Sequence, residues 1–151
     1  MKELKITPIK NGTVIDHIRP GMALNVVRIL KINNGSQKEV AIAMYTNSKK
    51  LGRKDLVKVE DMELDPNDVN KLAVLTPNAT ISIIRDYKVA KKFCVEVPEQ
   101  IEGIARCENP NCITNQKEPV EPRLIRTSAE PPRFRCFYCG RDQEDVTRTI
   151  I

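Results

Sequence analysis

The stretch DPNDVNKLAVLTPNATISIIR, residues 65–85, decides the fold, because it holds a complete helix and the strand that follows it. Asp65 is a good N-cap, Pro66 suits the first helical position, and Asp68 complements the positive end of the helix dipole. Val69, Leu72 and Ala73 make one apolar stripe at helical spacing, and Pro77 ends the element. Ala79–Arg85 then reads as a strand, and Tyr87–Val97 as a second.

Working upstream, the same alternation appears once more. Leu4–Ile9 is a strand candidate, and Thr13–Ile18 is another after the turn signal Asn11-Gly12. Gly21–Ile32 sets Ala23, Val26, Val27 and Leu30 at helical spacing, and Asn33-Asn34-Gly35 stops it. Val40–Thr46 alternates with Val40, Ile42 and Met44 on one face, and Asp55–Val59 is a further short strand. Strand, helix, strands, helix, strands is the order of a mostly antiparallel sheet covered by two helices, an α+β sandwich.

Pro98 is the expected boundary, which divides the chain into domains 1–98 and 99–151. Beyond it the helical pattern stops, and five prolines and four of the five cysteines occur. So small a segment supplies little core of its own, and a structural metal is the usual staple. Cys107-x4-Cys112 and Cys136-x2-Cys139 give two tight loops, each able to wrap one edge of a tetrahedral thiolate site. Two disulfides are the alternative. The start MKELKITPIK has no apolar core of a secretory signal, so the expected compartment is the cytoplasm, where thiols stay reduced. Four thiolates accept zinc and also iron. Cys94, in the apolar run FCVEV, is expected to be a small buried core residue.

The chemistry that this sequence excludes is as informative. No apolar run is long enough for a membrane span. No G-x-S-x-G, G-x-x-x-x-G-K-[ST], G-x-G-x-x-G or H-E-x-x-H occurs. Four thiolates saturate a metal and leave no position for a hydrolytic water. One acid–base candidate remains, Asp16 with the sole histidine, His17. As strand neighbours they are expected on opposite faces, which suits two contacts to one ligand better than an orienter and its base.

The net charge of +5 is uneven. Residues 1–98 carry 17 Lys and Arg against 11 Asp and Glu; residues 99–151 carry 8 against 9. A basic domain beside a metal ribbon suggests a nucleic-acid binder. Aromatics are only 4%, however, and Phe134, Phe137 and Tyr138 crowd the second cysteine pair, where packing under the metal explains them. The cations cluster in KKLGRKDLVK, residues 49–58, and at Lys88, Lys91 and Lys92; Lys58 alternates away from Val57 and Val59. Ammonium groups near an aspartate suit a nucleotide, cations for phosphates and a carboxylate for ribose hydroxyls.

GTVIDHI at 12–18, GRKDLVKVE at 52–60, TPNATI and DYKV before Pro98, and the cysteine spacings CENPNC and CFYC recur in one order. With them, nearly the whole chain resembles one family, the regulatory chain of aspartate carbamoyltransferase. The resemblance implies a ferredoxin-like N-terminal sheet with two helices, then a small all-β zinc ribbon of rubredoxin-like type. It implies no catalysis, a homodimer through the N-terminal domain, and CTP or ATP as allosteric effectors in the control of pyrimidine biosynthesis. One structural Zn2+ would be held by Cys107, Cys112, Cys136 and Cys139, in a domain that docks on the catalytic chain. By the same resemblance Ile6, Thr7 and Ile9 would meet the base. Asp16 and Lys58 would hold the ribose or base carbonyl, with Lys54 nearby, and His17 and Lys92 would meet the phosphates. Ile84, Tyr87 and Val89 would line the base side. Thr7 stands where an acid can occur in the family, and Ser82 where an asparagine can.

Overall fold

The computed structural model describes residues 9–32, 38–49, 52–116, 120–129 and 131–151. Strand β1 (Gly12–Ile18), helix α1 (Ala23–Ile29), β2 (Val40–Ser48), β3 (Gly52–Glu60), helix α2 (Pro66–Leu75), β4 (Thr80–Arg85) and β5 (Lys88–Cys94) follow in order. The strands form one antiparallel sheet in the order β2-β3-β1-β4-β5. The first four strands and two helices have the ferredoxin-like βαββαβ connection, with β5 added at the edge. Most of the Leu4–Ile9 strand and the Asn33–Gly35 stop lie outside the described residues.

Helix α2 begins as its local chemistry dictates. The Asp65 carboxylate accepts the Asp68 backbone N–H at 2.8 Å, and the Asp68 carboxylate accepts that of Asp65 at 3.3 Å, a reciprocal capping box. Helix α1 is shorter than its periodicity suggests and has no cap from its own N-cap side chain. The amide of Ala23, its first residue, is taken instead by Asp55, a buried residue of β3. Ile15, Val57 and Ile81 from the sheet meet Ala23, Val26 and Leu72 from the helices in the main core.

Pairing is irregular on both sides of β3. Ile15 pairs with Val57 but Ile18 with Asp55, so Asp16 and His17 together oppose Leu56, and His17 takes a φ of 55°. On the other side of β3, Met44 and Tyr45 together oppose Asp55, with Tyr45 at 57°. Both are β-bulges, with an extra residue that kinks its strand. Ile42 pairs in regular register with inward-facing Val57, ahead of the second bulge; it and Met44 are exposed because β2 is an edge strand. Asp86 and Tyr87, both at positive φ, make a two-residue hairpin turn, so Tyr87 is at its tip and β5 starts one residue later. In the edge strand β5 only Phe93 is half-buried, and Cys94 is exposed rather than in the core. Phe93 pairs with inward-facing Ile81, which leaves Cys94 on the outer face opposite Thr80.

The second sheet joins β6 (Gln100–Glu102), β7 (Arg123–Ala129) and β8 (Pro132–Cys136) in that order. Its core holds Ile101, Ile104, Leu124, Phe134 and Val146, and also Val74 from α2. Val97 and Ile150 touch both cores, and the Arg126 guanidinium donates to the Val97 carbonyl at 2.7 Å. A cavity of about 200 Å³ lies along this seam, lined by Arg19, Val74 and Pro77 on one side and Phe134, Gln143 and Val146 on the other.

Gly12 opens β1 at a φ of +152°, and a Cβ there would run into the Val59 carbonyl and the Ile9 side chain. Gly12→Ala should therefore lower stability by about 1–3 kcal/mol, as overpacking does. Urea unfolding checks it; a variant as stable as the parent would show that β1 and β3 are less tightly apposed.

Candidate functional site

Two loops of the ribbon converge on one point. In the first, the Asn109 side chain accepts the Asn111 N–H at 3.0 Å, and Asn115 Nδ2 donates to the carbonyls of Cys107 and Asn109 at 2.8 and 2.7 Å. In the second, Gly140 at a φ of +74° lets its N–H reach the Cys136 carbonyl at 3.0 Å. The four sulfurs of Cys107, Cys112, Cys136 and Cys139 thereby lie within 4.8 Å of one another. Cys107 Sγ and Cys139 Sγ are 3.6 Å apart, as are those of Cys112 and Cys136. That is far beyond a disulfide bond of about 2.05 Å. It is close to the roughly 3.8 Å edge of a tetrahedron with metal–sulfur bonds of about 2.3 Å.

Donors surround the sulfurs. The Asn109 N–H and Gln143 Nε2 reach Cys107 Sγ, both at 3.5 Å, and the Thr114 hydroxyl reaches Cys112 Sγ at 3.3 Å. Such contacts favour thiolate and orient it, as outer partners of metal ligands do. Burial pushes the Cys107 thiol up to about 12. Burial acts upward on Cys139 too, but the Arg141 backbone and the neighbouring thiols outweigh it and bring Cys139 down to about 7. The donor set fits a cation that displaces these protons. With all four positions filled by sulfur, no place is left for a reacting water.

The second constellation lies on the sheet face away from the helices. Val14 of β1 pairs with Lys58 on one side and Ser82 on the other, and Ser82 pairs with Lys92. Lys58, Val14, Ser82 and Lys92 thus form one row across four strands. One step along, Ile84 pairs with Val89; two residues the other way, Asp16 pairs with Thr80 and Thr80 with Cys94. Lys54 Nζ reaches the Asp16 carboxylate at 2.8 Å. Burial lowers the Lys58 ammonium, against the pull of Glu39. Lys91 is not part of the row. It pairs with inward-facing Ile83 and stacks on the Phe93 ring at 5.2 Å.

The bulge corrects the expectation for Asp16 and His17. His17 Nδ1 lies 3.1 Å from the Thr80 hydroxyl, which stands on the face of Asp16, while Asp16 Oδ1 accepts the His17 backbone N–H at 2.7 Å. The two side chains share a face. Tyr87 is exposed at the hairpin tip, and Ile9 is buried against Gly12. Ile6 and Thr7 lie outside the described residues. In the ribbon only Phe134 packs inward; Phe137 and Tyr138 are exposed, with their rings edge to face.

Comparison with known proteins bears on both sites. Residues 4–96 match the model of the allosteric domain of the aspartate carbamoyltransferase regulatory chain, and residues 99–147 match that of its metal binding domain. The chain belongs to this family. An aspartate carbamoyltransferase regulatory chain of Pyrococcus abyssi is 55% identical over 96% of this chain and 95% of its own length. One from Methanothrix thermoacetophila is 50% identical over 93% and 91%. The match is to a regulatory chain, not a catalytic one. In this regulatory chain the four cysteines fall within the metal binding domain, and the Asp16–Lys92 face falls within the allosteric domain. No helix among the described residues is long and apolar enough to cross a membrane.

Sequence reading overlooked Asp55, Thr80 and Gln143. Asp55 carried a signal, a charge at the inward position of a Val-rich strand; the other two are defined by contacts across the fold.

Chelation, or Cys139→Ala, should unfold the chain from about residue 100 onward while the first domain stays folded on its own core. The basis is that ligation supplies roughly 10 kcal/mol or more in such modules. Circular dichroism and metal analysis check this; an apo chain with an intact ribbon would refute it. Because thiols must deprotonate to bind, metal uptake at neutral pH should release protons, and metal should be lost as pH falls. A pH titration of bound metal reads the sign, and retention that improves on acidification would be contrary.

Proposed function

We propose that this chain is the non-catalytic subunit through which nucleoside triphosphates, CTP and ATP, control aspartate carbamoyltransferase and so pyrimidine biosynthesis. Residues 1–98 serve as the effector domain, and residues 99–151 as a Zn2+-stapled domain that docks on the catalytic chain. The observation that carries this reading is the convergence of Asp16, His17, Lys54, Lys58 and Lys92 on one sheet face.

On that face the chemistry divides by charge. Asp16, already holding Lys54, offers carboxylate oxygens to ribose hydroxyls, and Lys58 meets a ribose or base carbonyl oxygen. Lys92 and His17 meet the phosphates. Val14, Ile84 and Val89 supply an apolar floor for the base beside Ser82, and Tyr87 borders it. None of these groups is an activated nucleophile, and the thiolate site has no open position, so binding leads to coupling rather than turnover. In the ribbon, exposed Phe137 and Tyr138 beside the metal loop suit a protein partner. A nucleic-acid role is less well supported. Arg123, Arg135 and Arg148 are held by Glu102, Asp142 and Asp145, and Arg126 by a backbone carbonyl. Pairing of two copies is best supported at β2, an edge strand carrying exposed Ile42 and Met44. The cytoplasm, where thiols stay reduced, suits a four-cysteine metal site.

Lys92→Ala should weaken CTP binding about ten- to hundred-fold, the worth of a charge-assisted contact of about 1.5–3 kcal/mol. The loss should shrink for CMP, which lacks the distal charges, whereas Asp16→Ala should weaken both alike. Lys91→Ala, on the other face, should change neither. Calorimetric titration decides; equal losses at Lys91 and Lys92 would mean that only diffuse charge acts. Mixed with the catalytic chain, the protein should form a larger complex on sizing columns. Salt-sensitive binding to polynucleotide without such a complex would favour the nucleic-acid reading.

A further inference from the structure

Asp55 has no solvent exposure, and none of the chemistry above uses it. Its Oδ2 accepts the N–H of Gly21 at 2.9 Å and of Ala23 at 3.0 Å, and its Oδ1 accepts that of Tyr45 at 2.9 Å. One carboxylate therefore fastens β3 to three places: the chain leaving β1, the first turn of α1, and the bulge in β2. Its sequence neighbours point the other way. Lys54 holds Asp16, and Leu56 is the residue opposite which Asp16 and His17 bulge.

The bulge is an unstable arrangement by itself, since one residue of β1 has no partner on β3 and His17 is at positive φ. The connection from β1 to α1 is short. Gly21 lies only four residues beyond His17, so anchoring its N–H to Asp55 limits how far β1 can slip along β3. We infer that Asp55 is the positioning residue of the ligand-bearing face: by fixing the exit of β1 against β3 it holds Asp16 and His17 on the face of Lys54, Lys58 and Lys92. A slip of one residue would restore regular pairing and send one of the two to the helix side. The inference deepens the effector reading and rests on it for its ligand. The same carboxylate holds the Tyr45 bulge, so displacement at the ligand face is passed to edge strand β2.

The test uses the full metal-loaded chain and CTP as the probe. His17 is the sole histidine, so its ring gives a single set of NMR signals, and its cross-peak to Thr80 reports the bulge with no nucleotide present. Asp55→Asn keeps the shape but leaves one acceptor oxygen for three donors. It should lose that cross-peak and bind CTP about tenfold more weakly, the worth of one charge-assisted contact. Leu72→Ala, a fully buried core change on α2, should lower stability while keeping the cross-peak and the affinity. Equal effects of the two variants, or an unchanged cross-peak in Asp55→Asn, would overturn the positioning role. Should Asp55→Asn fail to fold, hydrogen exchange of the unaltered chain decides. CTP should slow exchange at the amides of Gly21, Ala23 and Tyr45, and unchanged exchange there on CTP binding refutes the inference. If the unaltered chain binds no CTP, the effector reading falls, and the cross-peak still judges the clamp.

Discussion

A carboxylate in the interior is tolerated only when its oxygens are satisfied, and Asp55 meets that condition with three backbone amides. The consequences spread through the first domain. Helix α1 acquires the acceptor that its own sequence lacks at the N-cap. Strand β2 acquires a kink at Tyr45, and β1 is held in a register that leaves two polar residues opposite one apolar residue. Had β3 carried a valine there, the strand would read as a more regular core element. The amides of Gly21, Ala23 and Tyr45 would then need other partners.

How much of this was legible depends on how local each signal is. Helix α2 was readable to the residue because Asp65, Pro66 and Asp68 act within one turn. The four metal-binding cysteines were readable because short loops leave their thiols few places to go. The bulge at Asp16 and His17 was not, since the extra residue exists only relative to Leu56 of another strand. The apolar run around Cys94 points to the core. Its exposure follows from β5 being an edge strand, which is a property of topology and not of residues 93–97. Phe137 and Tyr138 mislead in the same way: proximity to Cys136 in sequence suggests a place under the metal, but the tight knuckle turns them outward. Alternation placed Lys58 opposite Val57 and Val59 correctly, because β3 pairs without slippage through that stretch.

The two domains are not merely strung together. Val74, at the end of α2, is buried among residues of the ribbon, and Val97 and Ile150 belong to both cores. In a family of regulatory chains this seam is where a change in the allosteric domain meets the metal binding domain. The ribbon side of the seam is braced by Gln143, which also touches a metal-binding sulfur. Metal ligation, ribbon packing and the last turn of α2 are thus mechanically continuous.

The sheet has two ends of opposite character. Among the described residues, β2 presents Val40, Ile42 and Met44 along its course, whereas β5 presents Lys88, Lys91 and Lys92. Lysines on an edge repel an incoming strand and resist stacking. A sheet that can be extended from only one end behaves like a monomer with a single reactive group: it couples once and the product is capped at both termini. On the pairing proposed at β2, growth would stop at two copies. An uncapped sheet of this composition would be free to polymerise, so on the proposed reading the charge on β5 would limit the size of the assembly as well as suit a phosphate.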